Sequence, residues 1–301
     1  MTNKPLALVF LLTVGIYPAV TIADEPVPAK LPGNLQTIQV EVLAASPAVD
    51  GSLDEWSVEG WQVIRIQPAV ENDEKNRLGN AEVQFRAGVH EGRLYIAARW
   101  PDVHADRVFK TWNWTGSKYC RGKQQDDMFA LRFDLDGDYD TCMLSDRSYR
   151  VDTWLWSAGR SDPAGFAEDT WQTITTKYTE NAAEYTSPTG DTIYIRKGRD
   201  AGSPIYRNTR PERKKFAGDK LPGIEQNESP SGSVADVRGK GEWLDGYWHL
   251  EMSRKLETGY EDDTMFQSGD EKMGAIAVFD RNHAEHKSVS GSLLFDFSAL
   301  R

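Results

Sequence analysis

The sequence predicts an all-β fold, an antiparallel β-sandwich with long loop insertions. Apolar residues recur with period two through most of the chain, turn-forming residues separate the alternating runs, and no dozen residues carry an apolar stripe at helical spacing. Val83, Phe85, Ala87 and Val89 alternate with polar residues, His90-Glu91-Gly92 supplies a turn, and Leu94, Ile96, Ala98 and Trp100 alternate again. That describes a hairpin with one buried face. Phe129, Leu131, Phe133 and Leu135 repeat the pattern before the turn-rich Asp136-Gly137-Asp138, and Val151 to Trp156 form a further strand. Tyr247 to Met252, Gly274 to Phe279 and Ser292 to Phe297 add three more. Residues 179–242, rich in Gly, Pro, Ser and charge, read as long loops with little packed structure inserted into one sandwich. Residues 24–38 are Pro-rich and polar and read as an extended lead-in, which places the domain at 39–301.

The first residues read as an export signal. Lys4 precedes an apolar run from Leu6 to Val20 that ends at Thr21-Ile22-Ala23, so residues 1–23 form a signal peptide cleaved after Ala23. The competing reading, a membrane anchor, needs roughly 20 apolar residues, and Pro18 interrupts this shorter run. No later segment is apolar enough to span a bilayer, so no membrane span is expected after cleavage. Lys4 is the one charged residue of the signal, so its loss takes the net charge from -11 to -11 - 1 = -12. That balance disfavours nucleic acid and anionic membranes as partners, because both are recognised by clustered Lys and Arg. The basic cluster from Arg210 to Lys215 contains Pro211 and Glu212 and reads as a solvated loop.

An exported chain with two cysteines predicts a Cys120–Cys142 disulfide, the other reading being a metal or haem role. The absence of a C-x-x-C-H run excludes covalent c-type haem attachment.

Several strings resemble one family. Val49-Asp50-Gly51-Ser52-Leu53-Asp54-Glu55-Trp56 is similar to the opening of family-nine-like carbohydrate-binding modules, whose sandwich recurs in the haem-binding subunit of ethylbenzene dehydrogenase-like molybdenum enzymes. Val151-Asp152-Thr153-Trp154-Leu155-Trp156, Arg160, Asp162-Pro163, Gly165 and Ala167-Glu168-Asp169 resemble that subunit's middle signature. Asp245-Gly246-Tyr247-Trp248, Arg254 to Gly259, Asp262-Asp263, and Ala275 to Asp280 leading to Lys287-Ser288-Val289-Ser290 resemble its later blocks. The resemblance implies a periplasmic protein that holds one haem b, without covalent attachment, between a methionine and a lysine. It also implies redox partners, a molybdenum enzyme subunit on one side and a soluble cytochrome on the other. The matching lysine is Lys287 and the methionine chosen is Met143, with Met128 in reserve. The chain departs from many relatives in having no Cys-His pair in the middle block, and His283 and His286 stand beside Lys287 as competing ligands.

The chemistry of that pair is coherent. A thioether favours ferrous iron and raises the reduction potential, and a lysine ligates once desolvation has made it neutral. Without the resemblance, Met143 reads as a gap-filler and Lys287 as a surface residue. Trp154 and Trp156 share a strand face and either wall a flat ligand or belong to the core. Arg160 either pairs with a haem propionate or forms an ion pair with Asp162 or Asp169. Asp134, Asp136, Asp138 and Asp140 around Gly137 are either a Ca²⁺ loop or a solvated turn. With no Ser–His–Asp arrangement or paired-carboxylate motif, the chain is not expected to be an enzyme itself. Two function classes remain, a haem b electron-transfer subunit and a haem-free, carbohydrate-binding-like sandwich module. Intact-mass measurement of exported protein should give a chain that begins at Asp24; a mass retaining residues 1–23 contradicts the signal reading.

Overall fold

The computed structural model describes residues 33–282 and 286–300; the segment 1–23 read above as a signal peptide and His283 lie outside them. Among the described residues there is no α-helix. The strands are β1 (Gln36–Val42), β2 (Gln62–Pro68), β3 (Ala81–His90), β4 (Arg93–Pro101), β5 (Trp112–Trp114), β6 (Tyr119–Arg121) and β7 (Met128–Asp134). There follow β8 (Tyr149–Ser157), β9 (Glu168–Thr175), β10 (Ala183–Thr186), β11 (Thr192–Arg199), β12 (Gly202–Ser203), β13 (Tyr206–Asn208) and β14 (Lys220–Leu221). The last are β15 (Ile224–Gln226), β16 (Ser231–Gly232), β17 (Arg238–Leu244), β18 (Tyr247–Lys255), β19 (Glu271–Phe279), β20 (Ser288–Ser290) and β21 (Leu293–Asp296).

Fourteen strands form the sandwich. One layer runs β10-β11-β9-β8-β7-β19 and the other β2-β3-β4-β18-β17, and β20 pairs with both β19 and β2 to join them along one side. Within its own short length β1 lies parallel first to β21 and then to β3; the other described ladders are antiparallel. The predicted hairpin closes with His90 opposite Arg93, and Glu91 and Gly92 both take positive φ, 45° and 73°. That is the backbone a two-residue turn between twisted strands requires.

Two boundaries differ from the sequence reading. The lead-in already enters the sheet at Gln36. The 179–242 region is not loose loop: it carries β10 to β17, and β10, β11 and β17 extend the sandwich at its two edges. β10 and β12 to β16 are only two to four residues long, too brief for a period to register, and the longer β11 and β17 carry Gly and charge among their apolar residues.

The core between the layers is aromatic. Trp100 stacks on Phe129 at 5.3 Å between ring centroids, and Trp156 meets Trp248 edge-on at 5.0 Å. Trp154 and Trp156 are fully buried here, so they do not line a ligand site. Alternation is the cause, since it turns Thr153 and Leu155 to the outer face instead. Gly241 is required beside this cluster, because a Cβ there would lie 2.4 Å from the Trp156 ring. Buried carboxylates accept from three of the buried indoles, though not from Trp100 or Trp154: Trp156 donates to Asp162 at 3.0 Å, Trp248 to Asp127 at 3.1 Å and Trp56 to Glu251 at 2.7 Å. Glu251 also accepts the backbone N–H groups of Asp50 and Gly51, so the Val49–Trp56 motif is a cap on the outer face of β4 and β18.

Replacing Trp156 with Ala empties this cluster and should destabilise the chain by about 3–5 kcal/mol in denaturant unfolding. Burial, above all, pushes Asp127 up to about 8 and Glu251 to about 7, against donors that pull the other way. Each therefore keeps its proton in the folded chain where the unfolded chain has lost it. Their stability contribution is complete below the ordinary values of 3.8 and 4.5 and is lost as pH rises through 7 and 8. The thermal midpoint should fall between about pH 4 and about pH 8, and Asp127→Asn should flatten that fall. An unchanged slope in the variant would remove Asp127 from the explanation.

Candidate functional site

The β8-β7-β19 part of the first layer is largely buried on both faces. Phe129, Leu131 and Phe133 of β7 point into the sandwich, whereas Met128, Ala130 and Arg132 point out, and β19 divides Ile276 and Val278 from Ala275, Ala277 and Phe279 in the same way. The excursions around residues 109–125, 135–148 and 197–206 approach this outer face and leave a cavity of about 510 Å³. Its floor is apolar, built from Ala130, Leu155, Ala277, Phe279 and Val289.

Met143, Lys287 and Arg160, proposed separately from distant parts of the sequence, all line this one cavity, and so does Met128. Met143 sits on the loop after β7 and packs on a cluster that contains Tyr139, Tyr149 and Ala275. The loop is held by Arg132, whose guanidinium donates to the Thr141 carbonyl at 3.1 Å, and by the Tyr149 hydroxyl, which donates to the Asp140 carbonyl at 2.6 Å. Lys287 immediately precedes β20, and its ammonium lies 5.9 Å from the centre of the Phe279 ring. Ala275 and Phe279 are four residues apart on one face of β19, about 13 Å. The thioether of Met143 and the amine of Lys287 are thus associated with opposite ends of the floor. Met128 instead stands directly across from Phe279 in the ladder, and its sulfur is in close contact with the Arg160 guanidinium.

One side of the cavity is cationic. Arg160 is paired at 3.1 Å with the buried Asp126, not with Asp162 or Asp169, and it stacks over Phe109. Burial alone would disfavour the guanidinium charge, but Asp126 and its neighbours outweigh this and raise the Arg160 pKa. Arg199 meets Glu168 at 2.6 Å, and Glu168 also accepts the Tyr206 hydroxyl at 2.5 Å. Burial and the Glu168 charge push Tyr206 up to about 12. Lys110 and Lys197 complete the positive rim. The reading of the sequence missed Glu168, Arg199 and Tyr206. The available signal was the alternation of Glu168 with Asp169, which sends one acid outward and the next inward.

Other residues lie elsewhere. His286 turns to Asp73, with Nδ1 3.0 Å from the carboxylate. Cys120 and Cys142 are free thiols, so the expected disulfide is not formed. Cys120 pairs opposite Asn113 in the small β14-β5-β6 sheet, while Cys142 lies on the loop that carries Met143, where burial raises its pKa. Sequence distance gave no sign that they belong to different substructures. The Asp134–Asp140 string is a turn. Asp136 pairs with Arg150 at 2.9 Å, Asp134 and Asp140 accept backbone N–H groups of their own turn, and Asp138 is exposed. Those four carboxylates form none of the three acidic groups whose oxygens converge among the described residues.

The family model described as ethylbenzene dehydrogenase matches residues 56–290, which contain every cavity residue. Among solved structures, a candidate carbohydrate-binding protein from Bacteroides uniformis is similar over 87% of this chain and 99% of its own, with a TM-score of 0.41 and 10% identity. A similarity of that size says nothing about ligands. No curated protein matches the chain.

Proposed function

We propose, from the premise that the chain belongs to the ethylbenzene dehydrogenase family, that it is an exported electron-transfer protein or subunit whose outer-face cavity holds one haem b. The observation that carries this reading is the gathering of Met143, Lys287 and Arg160 around one apolar-floored cavity. The residues present fit the group. A flat macrocycle suits the floor of Ala130, Leu155, Ala277 and Phe279, and its carboxylates suit the wall of Arg160, Arg199, Lys110 and Lys197. Cavities of a few hundred Å³ with few convergent polar groups are typical small-molecule sites.

Bound haem would supply reversible one-electron chemistry at the iron. The protein's own contribution is to place the donors. Met143 and Lys287 are the residues that would hold the iron, because Met128 shares a ladder position with Phe279 and already contacts Arg160. A thioether donor from Met143 would favour the reduced state. Asp126 keeps Arg160 aimed along the cavity wall, and Glu168 with Tyr206 does the same for Arg199. The partners on this reading are a molybdenum enzyme subunit and a soluble cytochrome.

Protein produced with ample haem should show a low-spin Soret spectrum. Lys287→Ala should abolish or shift it, and Met143→Ala should keep the haem but lower the reduction potential. Met128→Ala and His286→Ala should leave the spectrum intact. If either control erases it while the first two variants do not, the ligand assignment is wrong. If no Soret band forms at all, electron transfer falls and a haem-free ligand-binding sandwich replaces it.

A further inference from the structure

Behind the cavity wall the chain concentrates acid. Glu168 and Arg199 face the cavity, but Asp169 and Asp200, their immediate successors, face away from it into a separate polar cluster. At its centre Arg254 is fully buried and stands 2.9 Å from Asp152, 2.7 Å from Asp169 and 3.6 Å from Asp263. One guanidinium thus serves three carboxylates.

A second trio overlaps the first. Asp200, Asp262 and Asp263 each bring one oxygen within 4.8 Å of the others. Among the described residues, neither Asp200 nor Asp262 has a basic side chain in ion-pair contact. The Ser233 hydroxyl bridges Asp200 Oδ2 and Asp263 Oδ1 at 3.3 and 3.2 Å. That leaves Asp200 Oδ1 and Asp263 Oδ2 buried with no hydrogen-bond partner, on residues only 6% and 4% exposed. Buried carboxylate oxygens without donors are costly. Asp262, half-buried, leaves the trio a side open to solvent.

We propose that Asp200, Asp262 and Asp263 bind a hard divalent cation of the Ca²⁺ class. The donor set is all oxygen, with no histidine or cysteine in the trio, which disfavours zinc and copper. Three carboxylates from two separate chain segments form a yielding cage, which suits Ca²⁺ better than the strict octahedron of Mg²⁺. Water reaching Asp262 completes the coordination. The site joins the segment after β11 to the β18–β19 connection, and Ser233 adds the turn at Ser233–Ala235. The cation therefore staples the 179–242 excursion to the sandwich and fixes Arg199, one residue from Asp200, at the cavity rim.

The test uses the full mature chain without haem, stripped with EDTA and titrated with CaCl₂ by calorimetry and thermal melting. One Ca²⁺ should bind per chain and raise the melting midpoint, with Mg²⁺ weaker. Asp262→Asn, a change at a partly exposed residue, and Asp200→Asn should each weaken Ca²⁺ binding about tenfold or more, since affinity follows ligand charge. Asp138→Asn, in the separate acidic turn, should not. The proposal is overturned if the folded, stripped chain neither binds Ca²⁺ nor gains stability from it. It is equally overturned if both trio variants bind as the wild type does, or if only Asp138→Asn loses binding.

Discussion

Arg254 carries a full positive charge with no access to water, and it does so in the middle of a sandwich whose layers are otherwise held by tryptophan and phenylalanine. It belongs to β18 of one layer, while Asp152 and Asp169 belong to β8 and β9 of the other. Its second amine donates to the Thr264 carbonyl at 2.7 Å, and Asp152 accepts the Thr264 N–H at 2.8 Å. The β18–β19 connection is thereby bound to both layers. Burying such a network is expensive compared with apolar packing, but removing one member is worse, because it strands the remaining charges. The members of this network make up much of the string that resembles the family, so its motif is in good part a structural lock.

That lock sets the position of the cavity. β9 turns Asp169 toward Arg254 and so turns Glu168 outward, where it receives Arg199 and Tyr206. β8 turns Asp152, Trp154 and Trp156 inward and so gives Thr153 and Leu155 to the cavity. Where the layer is buried on both faces, at β8, β7 and β19, its outer side needs a cover, and the excursions after β4, β7 and β11 provide one. They cover the face without filling it, and the remaining space is the cavity.

The charge distribution has its own logic. The chain as a whole is strongly acidic, yet the cavity wall concentrates Arg160, Arg199, Lys110 and Lys197. On the proposed reading, this local cation excess in an acidic protein favours an anionic group on the ligand. Asp126 and Glu168 keep this wall ordered, since each is buried and each is committed to an arginine.

The sequence by itself determined the all-β class, the β3–β4 hairpin and the strands carrying Phe129, Trp154, Trp248 and Ile276, because period-two alternation is a local property that survives in one dimension. It also named Met143, Lys287 and Arg160, though only through the order of family-like blocks. Tertiary structure decided the rest. Whether Trp154 walls a ligand or fills the core depends on which face of β8 meets the other layer, and alternation alone does not say which face that is. Whether Cys120 meets Cys142 depends on packing between a small sheet and a distant loop, and their separation along the chain carries no such information. The region 179–242 looked unstructured because most of its strands are too short to show a period and β11 and β17 mix Gly and charge into theirs; they form by pairing with partners the local sequence does not reveal. Arg254 with its carboxylates, and Asp200 with Asp262 and Asp263, come from segments tens of residues apart, and only the closed sandwich brings their charges to one place.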